Sequence, residues 1–171
     1  ISYTSHFQES DIFVWVDKEK LEIVIRNLLS NAFKFTSSGG SIFLTTGLLA
    51  DGKSCFVRVE DTGTGIPQNK LAEIFERFSQ GDNAKDTTYK GTGIGLALSK
   101  ELMTMHHGQI TVESEPSKGS AFTIELLLGK DHFKPSEVDF YFSDQVDKLP
   151  HEASILDTNR NEEDEELDEN L

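Results

Sequence analysis

Residues 18–35, KEKLEIVIRNLLSNAFKF, combine a helical stripe of apolar side chains with two amide side chains beside it. Apolar residues recur every three or four positions, as one face of an amphipathic helix requires. Asp17 directly precedes the stretch and can accept hydrogen bonds from the first free N–H groups of a helix. The turn residues Ser37 to Gly40 follow it. A helix is therefore expected between Asp17 and this turn, with the stripe Leu21, Val24, Ile25, Leu28, Leu29 and Ala32 facing a core.

The segments on either side of this helix predict further strands and helices. Asp51-Gly52 is a hairpin signal between two alternating apolar runs. Pro67 can open a short helix ending near Phe75 or Arg77, because the first helical position needs no N–H. The expected strands are 12–16, 41–48, 54–60, 109–115 and 120–128, and a third helix is expected at 94–107. This order predicts an α/β two-layer sandwich, a mixed sheet of about five strands packed under three helices.

The charge of the chain is concentrated near its end. Residues 131–171 carry 14 acidic and 3 basic residues, whereas residues 1–130 carry 16 acidic and 13 basic ones. The absence of a basic stripe from the sequence argues against a nucleic-acid-binding module. Residues 152–171 have almost no apolar content and are expected to form a linker rather than a packed segment.

Cys55 is the single cysteine of the sequence, which allows neither an internal disulfide nor a cysteine metal cluster. It lies in the alternating run SCFVRVE and is expected to be a small buried strand residue. No run of about 18 apolar residues occurs, so no membrane-spanning helix is expected.

The predicted helix carries the first candidate functional residues. Asn27 and Asn31 are one turn apart, and Lys34 lies near the same face. An amide oxygen is a hard neutral ligand suited to Mg²⁺, and a lysine is a point charge suited to a phosphate. The alternative interpretation is that both amides cap nearby backbone groups.

Three glycine segments follow. Asp61 ends an apolar strand in DTGTG, where a carboxylate can accept from an exocyclic amine and glycines allow close approach to a flat base. GTGIGL, residues 91–96, opens a helix whose free N–H groups can meet phosphate, but its spacing fits neither a Walker A loop nor a dinucleotide fingerprint. GSAF, residues 119–122, enters the last strand. Each segment alone is also compatible with an ordinary turn.

Together and in this order, the four segments resemble the N, G1, G2 and G3 boxes of the Bergerat-fold ATPases. This superfamily includes DNA gyrase B, heat-shock chaperones, MutL and histidine kinases. IFERF, residues 74–78, resembles the F box that is particular to histidine kinases, and NLLSNAFKFT resembles their form of the N box. The resemblance covers residues 10–128.

The resemblance implies a role for each matching position. Asn31 would hold Mg²⁺, Lys34 would contact phosphate, and Asn27 would stand where other branches keep a catalytic Glu that activates water. An amide at that position favours phosphoryl transfer over hydrolysis. Phe35 would pack near the adenine, Asp61 would read its amine, and the lid would be residues 79–92. The remaining residues implied to surround the nucleotide are Gly63, Gly65, Ile66, Phe75, Gly91, Thr92, Gly93, Gly95, Leu96 and Ser120.

One position departs from the pattern. Many relatives place an Arg shortly after the F box, whereas Ser79-Gln80 stands here. Lys85 or Lys90 in the lid are the cations available to replace it.

The resemblance also implies the partners and the surroundings of the domain. ATP or ADP, a histidine-bearing dimerisation hairpin of the same protein, and a receiver domain or response regulator would be the partners. Residues 1–10 would end the linker from that hairpin, 11–130 would form the catalytic domain, and 131–171 would lead to a receiver domain. The fragment would be a monomer inside a homodimeric bacterial hybrid kinase, with a cytoplasmic catalytic domain in an inner-membrane sensor.

None of the five histidines has the surroundings of a phosphoacceptor. His106 and His107 end a predicted helix, where positive charge suits the helix dipole. Two other functions stay open from the sequence: a Bergerat ATPase that hydrolyses ATP to drive a clamp, and a degenerate domain that serves only as an interaction module.

Overall fold

A computed structural model describes residues 1–8, 11–79 and 93–138. The chain divides into two units, Ile1–Pro135 and Ser136–Leu171, and the second is described only at residues 136–138. The elements of the first unit are β1 (Ser2–Phe7), α1 (Lys18–Phe35), β2 (Ser41–Leu48), β3 (Ser54–Asp61), a 3-10 turn (Gln68–Lys70), α2 (Gly95–Met105), β4 (Gln109–Glu115) and β5 (Gly119–Leu127).

The strands form one five-stranded sheet in the order β1-β2-β3-β5-β4. β1 runs parallel to β2, and every other neighbouring pair is antiparallel, so the sheet is mixed as predicted. The turn predicted at Asp51-Gly52 joins the antiparallel strands β2 and β3, and a second turn at residues 116–118 joins β4 and β5. In the described part of the chain no helix is both long and apolar enough to cross a membrane.

The helix α1 confirms the prediction made for residues 18–35. The Asp17 side chain accepts a hydrogen bond from the Lys20 N–H at 3.1 Å, which caps the first turn. Its buried stripe is Val24, Leu28 and Ala32. These side chains join Cys55, which is buried as expected, and strand residues such as Val59 and Ile124 in one apolar core.

The strand predicted at residues 12–16 was wrong. Val14 makes only an isolated bridge to Gly129, although Ile12, Val14 and Val16 do pack against the core. Their alternation with exposed Phe13 and Trp15 reflects burial on one side, without a neighbouring ladder of hydrogen bonds. The fifth strand is instead β1, whose side chains are all exposed.

The helix predicted after Pro67 is a 3-10 turn followed by further turns through residue 78. The N–H groups of Lys70, Leu71 and Glu73 bond carbonyls three residues back, which is the 3-10 pattern. Two α-helices therefore cover the described sheet, while Ile74 and Phe75 from this turn segment fill the remaining edge of the core.

The end of α2 corrects the expectation for His106. This residue is buried, its Nε2 accepts from the Asp17 N–H at 3.0 Å, and its Nδ1 lies 2.7 Å from the Leu102 carbonyl. A ring that accepts at one nitrogen and donates at the other is neutral. His106 therefore joins the end of α2 to the start of α1 as an uncharged ring, and it is not a cation at a helix end.

The chain then leaves α2 through a Schellman motif. The Gly108 N–H bonds the Met103 carbonyl and the His107 N–H bonds the Thr104 carbonyl, with His107 in the left-handed region at φ 54°. Glycine usually occupies the left-handed position. Here it is needed one residue later, because a Cβ on Gly108 would lie 2.4 Å from the Glu125 carbonyl oxygen.

Candidate functional site

Asp61 is the central charged group of the candidate site. It ends β3, and its side chain is only 6% exposed. Its Oδ1 accepts a hydrogen bond from the Gly63 N–H at 2.8 Å. Burial raises the pKa of this carboxyl, while the backbone N–H groups of Gly63 and Ser120 oppose the rise and the nearby Glu60 carboxylate adds to it. Within the described residues no ion pair involves Asp61, so the carboxylate keeps acceptor capacity for a ligand.

The loop after Asp61 is held between the end of α1 and the turn that joins β4 to β5. The Thr64 N–H bonds the Phe35 carbonyl, and the Ser117 N–H bonds the Thr64 carbonyl. A Cβ on Gly63 would lie 2.4 Å from the Phe35 carbonyl oxygen, and one on Gly65 would lie 1.9 Å from that of Glu115. Both glycines are thus required for the backbone to approach this closely.

Two buried serines lie beside Asp61. Ser120 is opposite Asp61 across β3 and β5, and Ser114 is opposite Ser120 across β5 and β4. Their Oγ atoms are 3.0 Å apart. Ser114 Oγ also accepts from the Ile66 N–H at 2.8 Å, which ties the glycine loop to β4. This places the candidate residues Ile66 and Ser120 at one end of the sheet with Asp61.

Asn27 joins α1 to the first turn of α2. Its Nδ2 donates to the Gly95 carbonyl at 3.2 Å and to Ser99 Oγ at 3.3 Å. Ser99 is fully buried and donates to the same Gly95 carbonyl at 2.9 Å. The Asn27 amide therefore makes the kind of backbone contact that the alternative interpretation of the two asparagines described, and it positions the start of α2.

Asn31 and Lys34 lie on the same helix as Asn27 but make different contacts. The Asn31 side chain is partly exposed and has no hydrogen bond to any described residue. The Lys34 Nζ lies 4.9 Å from the centroid of the Phe35 ring, and that ring is 47% exposed. These side chains remain available to a ligand.

The residues on either side of the predicted lid are hydrogen-bonded to each other. The Phe78 N–H donates to the Gly93 carbonyl at 2.9 Å, and both residues have a φ of 67°. The Arg77 guanidinium pairs with Glu101 of α2 at 2.8 Å, which fixes the end of the F-box segment. Gly91, Thr92, Gln80, Lys85 and Lys90 lie outside the described residues.

The remaining candidates are partly buried around α2. Leu96 and Phe75 both pack against the core, and the Lys100 Nζ lies 5.7 Å from the Phe75 ring centroid. Sequence reasoning had missed Ser99 and Ser114. Ser114 was detectable in principle, because it continues the inward alternation of Ile110 and Val112 and faces Ser120 once the hairpin register is fixed.

Similarity to known proteins identifies the family of this chain. The family of histidine kinase-, DNA gyrase B-, and HSP90-like ATPases matches residues 16–130. The chain belongs to this family. It is an ATP-binding catalytic domain of the histidine kinase type, because its relatives are sensor histidine kinases.

Two such relatives illustrate the match. The sensor histidine kinase TmoS of Ectopseudomonas mendocina is 46% identical over 113 residues, covering 66% of this chain. The sensor histidine kinase RcsC of Escherichia coli K12 is 41% identical over 124 residues, covering 71% of this chain. This chain spans 12% and 13% of the lengths of these two proteins.

Solved histidine kinase structures share the fold. Full-length ShkA in complex with AMPPNP has a TM-score of 0.64 and 30% identity, covering 73% of this chain and 25% of that one. The nucleotide-free catalytic domain of ThkA has a TM-score of 0.62 and 27% identity, covering 74% and 79% of the two chains. The predicted fold and the predicted histidine kinase family are thereby confirmed.

Proposed function

We propose that this domain binds Mg·ATP between α1, the loop after Asp61 and the start of α2, and donates the γ-phosphoryl group to a histidine on a separate domain. The observation that carries the proposal is the buried Asp61 carboxylate beside a close-packed glycine loop. An ionised carboxylate accepts hydrogen bonds only, so it selects a ligand edge that bears a donor such as the adenine amine.

The phosphates would lie toward α1 and the first turn of α2. The free N–H groups and the dipole at a helix N-terminus favour an anion. A Cβ on Gly95 would meet Asn27 at an ordinary 3.5 Å, so the packing of the protein itself does not require glycine there. A phosphate that approaches the backbone closely would explain why glycine occupies position 95. Lys34 can bring a positive charge to the same region.

The residues fit a magnesium ion that arrives with the nucleotide. Across the described ranges no group of three or more His, Cys, Asp or Glu side chains could hold a metal ion. Asn31 offers a neutral amide oxygen, and Mg²⁺ in nucleotide sites takes few protein ligands and keeps phosphates and waters. When bound, the ion would neutralise phosphate charge during transfer.

The transfer itself needs little chemistry from this chain. A histidine nitrogen forms a bond to the γ-phosphorus while the bond to the oxygen bridging the β- and γ-phosphates breaks, and ADP leaves. Asn27 cannot act as a base for water, since it is an amide whose N–H groups are engaged by Gly95 and Ser99. Transfer to an external acceptor is therefore favoured over hydrolysis.

Calorimetric titration with ATP, with and without Mg²⁺, tests the binding site. We expect binding to be lost in Asp61→Asn and to lose its Mg²⁺ dependence in Asn31→Ala. Glu113→Gln is the matched control, because Glu113 is an exposed strand carboxylate paired with Arg58. Absence of ATP binding by the folded wild-type domain would contradict the proposal and favour an interaction module.

The acceptor is tested separately. The wild-type domain, mixed with Mg·ATP labelled at the γ-phosphate and the histidine-bearing hairpin of its full-length protein, should label the hairpin. The same domain alone should release phosphate slowly. Rapid multiple-turnover hydrolysis by the isolated domain would instead support the clamp ATPase.

A further inference from the structure

Three polar side chains form a row on the inner side of the sheet. Asp61, Ser120 and Ser114 occupy directly paired positions on the neighbouring strands β3, β5 and β4. Their exposed fractions are 6%, 8% and 8%. Paired residues of antiparallel strands project from the same face, so the row forms a continuous polar edge within an apolar core.

Ser114 has a fully determined set of hydrogen bonds. A serine hydroxyl has one proton to donate and two lone pairs to accept with. The Ser114 hydroxyl donates to the Gly119 carbonyl at 2.7 Å and accepts from the Ile66 N–H at 2.8 Å. Its remaining contact is Ser120 Oγ at 3.0 Å, and only a lone pair of Ser114 is left for it.

This arrangement fixes the proton of Ser120. Because Ser114 has already donated its only proton to Gly119, the Ser120 hydroxyl must be the donor in the serine pair. On the side of Asp61, which is paired with Ser120 across β3 and β5, the Ser120 Oγ atom can then only accept hydrogen bonds. An ionised Asp61 is also an acceptor only. The two groups that border the loop thus present acceptors and no side-chain donor.

We infer that Ser114 is a positioning residue for base selectivity, which rests on the proposed nucleotide-binding function. Because Ser120 donates its proton to Ser114, the side chains of Ser120 and Asp61 form an edge that offers a ligand only hydrogen-bond acceptors. Such an edge matches the 6-amino group of adenine and opposes the 6-oxo group of hypoxanthine or guanine, whose oxygen would face other lone pairs. Without Ser114, the Ser120 hydroxyl can turn and donate to a 6-oxo group.

A purely structural role of Ser114 makes a different prediction. The same hydroxyl anchors Ile66, and its backbone carbonyl accepts from Gln68 Nε2 at 3.2 Å. Loss of these hydrogen bonds would loosen the loop and weaken the binding of all purine nucleotides equally. The informative quantity is therefore the ratio of the dissociation constants for IDP and ADP, which differ in the 6-oxo and 6-amino groups and in the proton that hypoxanthine carries on N1.

The experiment measures both constants by calorimetry in the wild type, Ser114→Ala, Ser120→Ala and the double variant, with folding checked by circular dichroism. We expect the wild type to prefer ADP and Ser114→Ala to lower the IDP/ADP ratio about tenfold, the size of one hydrogen bond. In the Ser120→Ala background, Ser114→Ala should leave the ratio unchanged. Ser114→Thr, which keeps the hydroxyl, should restore the wild-type ratio.

Three results would overturn the inference. An unchanged ratio in Ser114→Ala, with both constants weakened equally, means that Ser114 acts only through loop stability. An equal fall of the ratio in both backgrounds means that the effect does not pass through Ser120. Failure of the folded wild type to bind ADP overturns the proposed function, and the inference with it. Ser114→Cys, which preserves volume with a weak hydrogen-bonding group, replaces Ser114→Ala if that variant does not fold.

Discussion

At the residue scale, the buried Asp61 carboxylate lowers the free energy of unfolding of the ligand-free domain. It also provides a charged hydrogen-bond acceptor. Burial raises the pKa of its carboxyl above the ordinary value near 3.8. A group whose pKa is higher in the folded state stabilises the fold fully only below its unfolded pKa. That contribution is lost as the pH rises through the folded pKa, because the buried group must then ionise.

The first prediction compares wild type and Asp61→Asn by urea unfolding across pH. The amide does not ionise, so the wild type should lose stability relative to the variant as the pH rises from below 3.8 through the raised pKa. Above that window the difference should be constant. A difference in the opposite direction would mean that the backbone N–H groups outweigh burial at Asp61.

Asn27 provides a second residue-scale prediction. Asn27→Ala removes two hydrogen bonds that fix the first turn of α2, to Gly95 and Ser99. We expect a loss of about 1–2 kcal/mol in the free energy of unfolding, together with faster amide exchange in that turn. Asn69→Ala, an exposed amide in the 3-10 turn, should change neither quantity. Unchanged exchange in Asn27→Ala would contradict its role as a clamp between the helices.

At the element scale, two neighbouring positions of the turn after α2 have different backbone requirements. Gly108 cannot carry a side chain because β5 lies against it, and the preceding residue, His107, occupies the left-handed position. The His107 ring packs edge-on against the Phe133 ring, with the two centroids 5.2 Å apart. The strain is therefore partly offset by an aromatic contact.

The third prediction contrasts two glycines. Gly108→Ala should destabilise the domain by about 2 kcal/mol, because the added methyl overlaps the Glu125 carbonyl. Gly52→Ala has open space around it but a φ of 63°, so it should cost about 1 kcal/mol from backbone conformation alone. Thermal unfolding measures both. A larger loss at Gly52 would mean that β5 yields to the methyl group easily.

The elements also show where periodicity predicts structure and where it does not. α1, β2, β3, β4 and β5 all contribute apolar side chains to the core, so their apolar spacing predicted them within one or two residues. β1 has no buried face, and its pairing with β2 is a property of the backbone that no side-chain pattern records. The segment after Pro67 carries core residues at helical spacing, but its carbonyls bond three residues ahead rather than four.

At the scale of the whole molecule, the sequence located the candidate site better than it described its chemistry. The glycine motifs and Asp61 were recognisable because their order along the chain is specific. The hydrogen bond from Asn27 to Gly95 and the direction of the hydrogen bond between the two serines were not recognisable. The first joins residues 68 positions apart, and the second depends on the contact of Ser114 with Ile66, 48 positions away. Such contacts exist only once the sheet register and the helix packing are known.

Net charge gives the fourth prediction. Residues 139–171 carry 12 acidic and 2 basic residues, and their removal changes the formal charge from −14 to −4. A chain ending at residue 138 should bind ATP more tightly at low ionic strength, because less negative charge repels the nucleotide. The difference should disappear at about 0.5 M salt, where screening is complete over a few ångströms. Calorimetry at two salt concentrations measures it, and a salt-independent difference would point to a direct contact instead.

The position of β1 bears on where this domain can be cut. The family match begins at residue 16, yet the edge of the sheet is formed by Ser2–Phe7. A protein trimmed to the match would keep every candidate site residue and expose the backbone groups of β2 that β1 now pairs, next to Phe43 and Leu44. An unprotected strand edge pairs with other chains. Self-association of such a trimmed protein would therefore reflect a lost neighbour strand and reveal nothing about how the untrimmed domain associates.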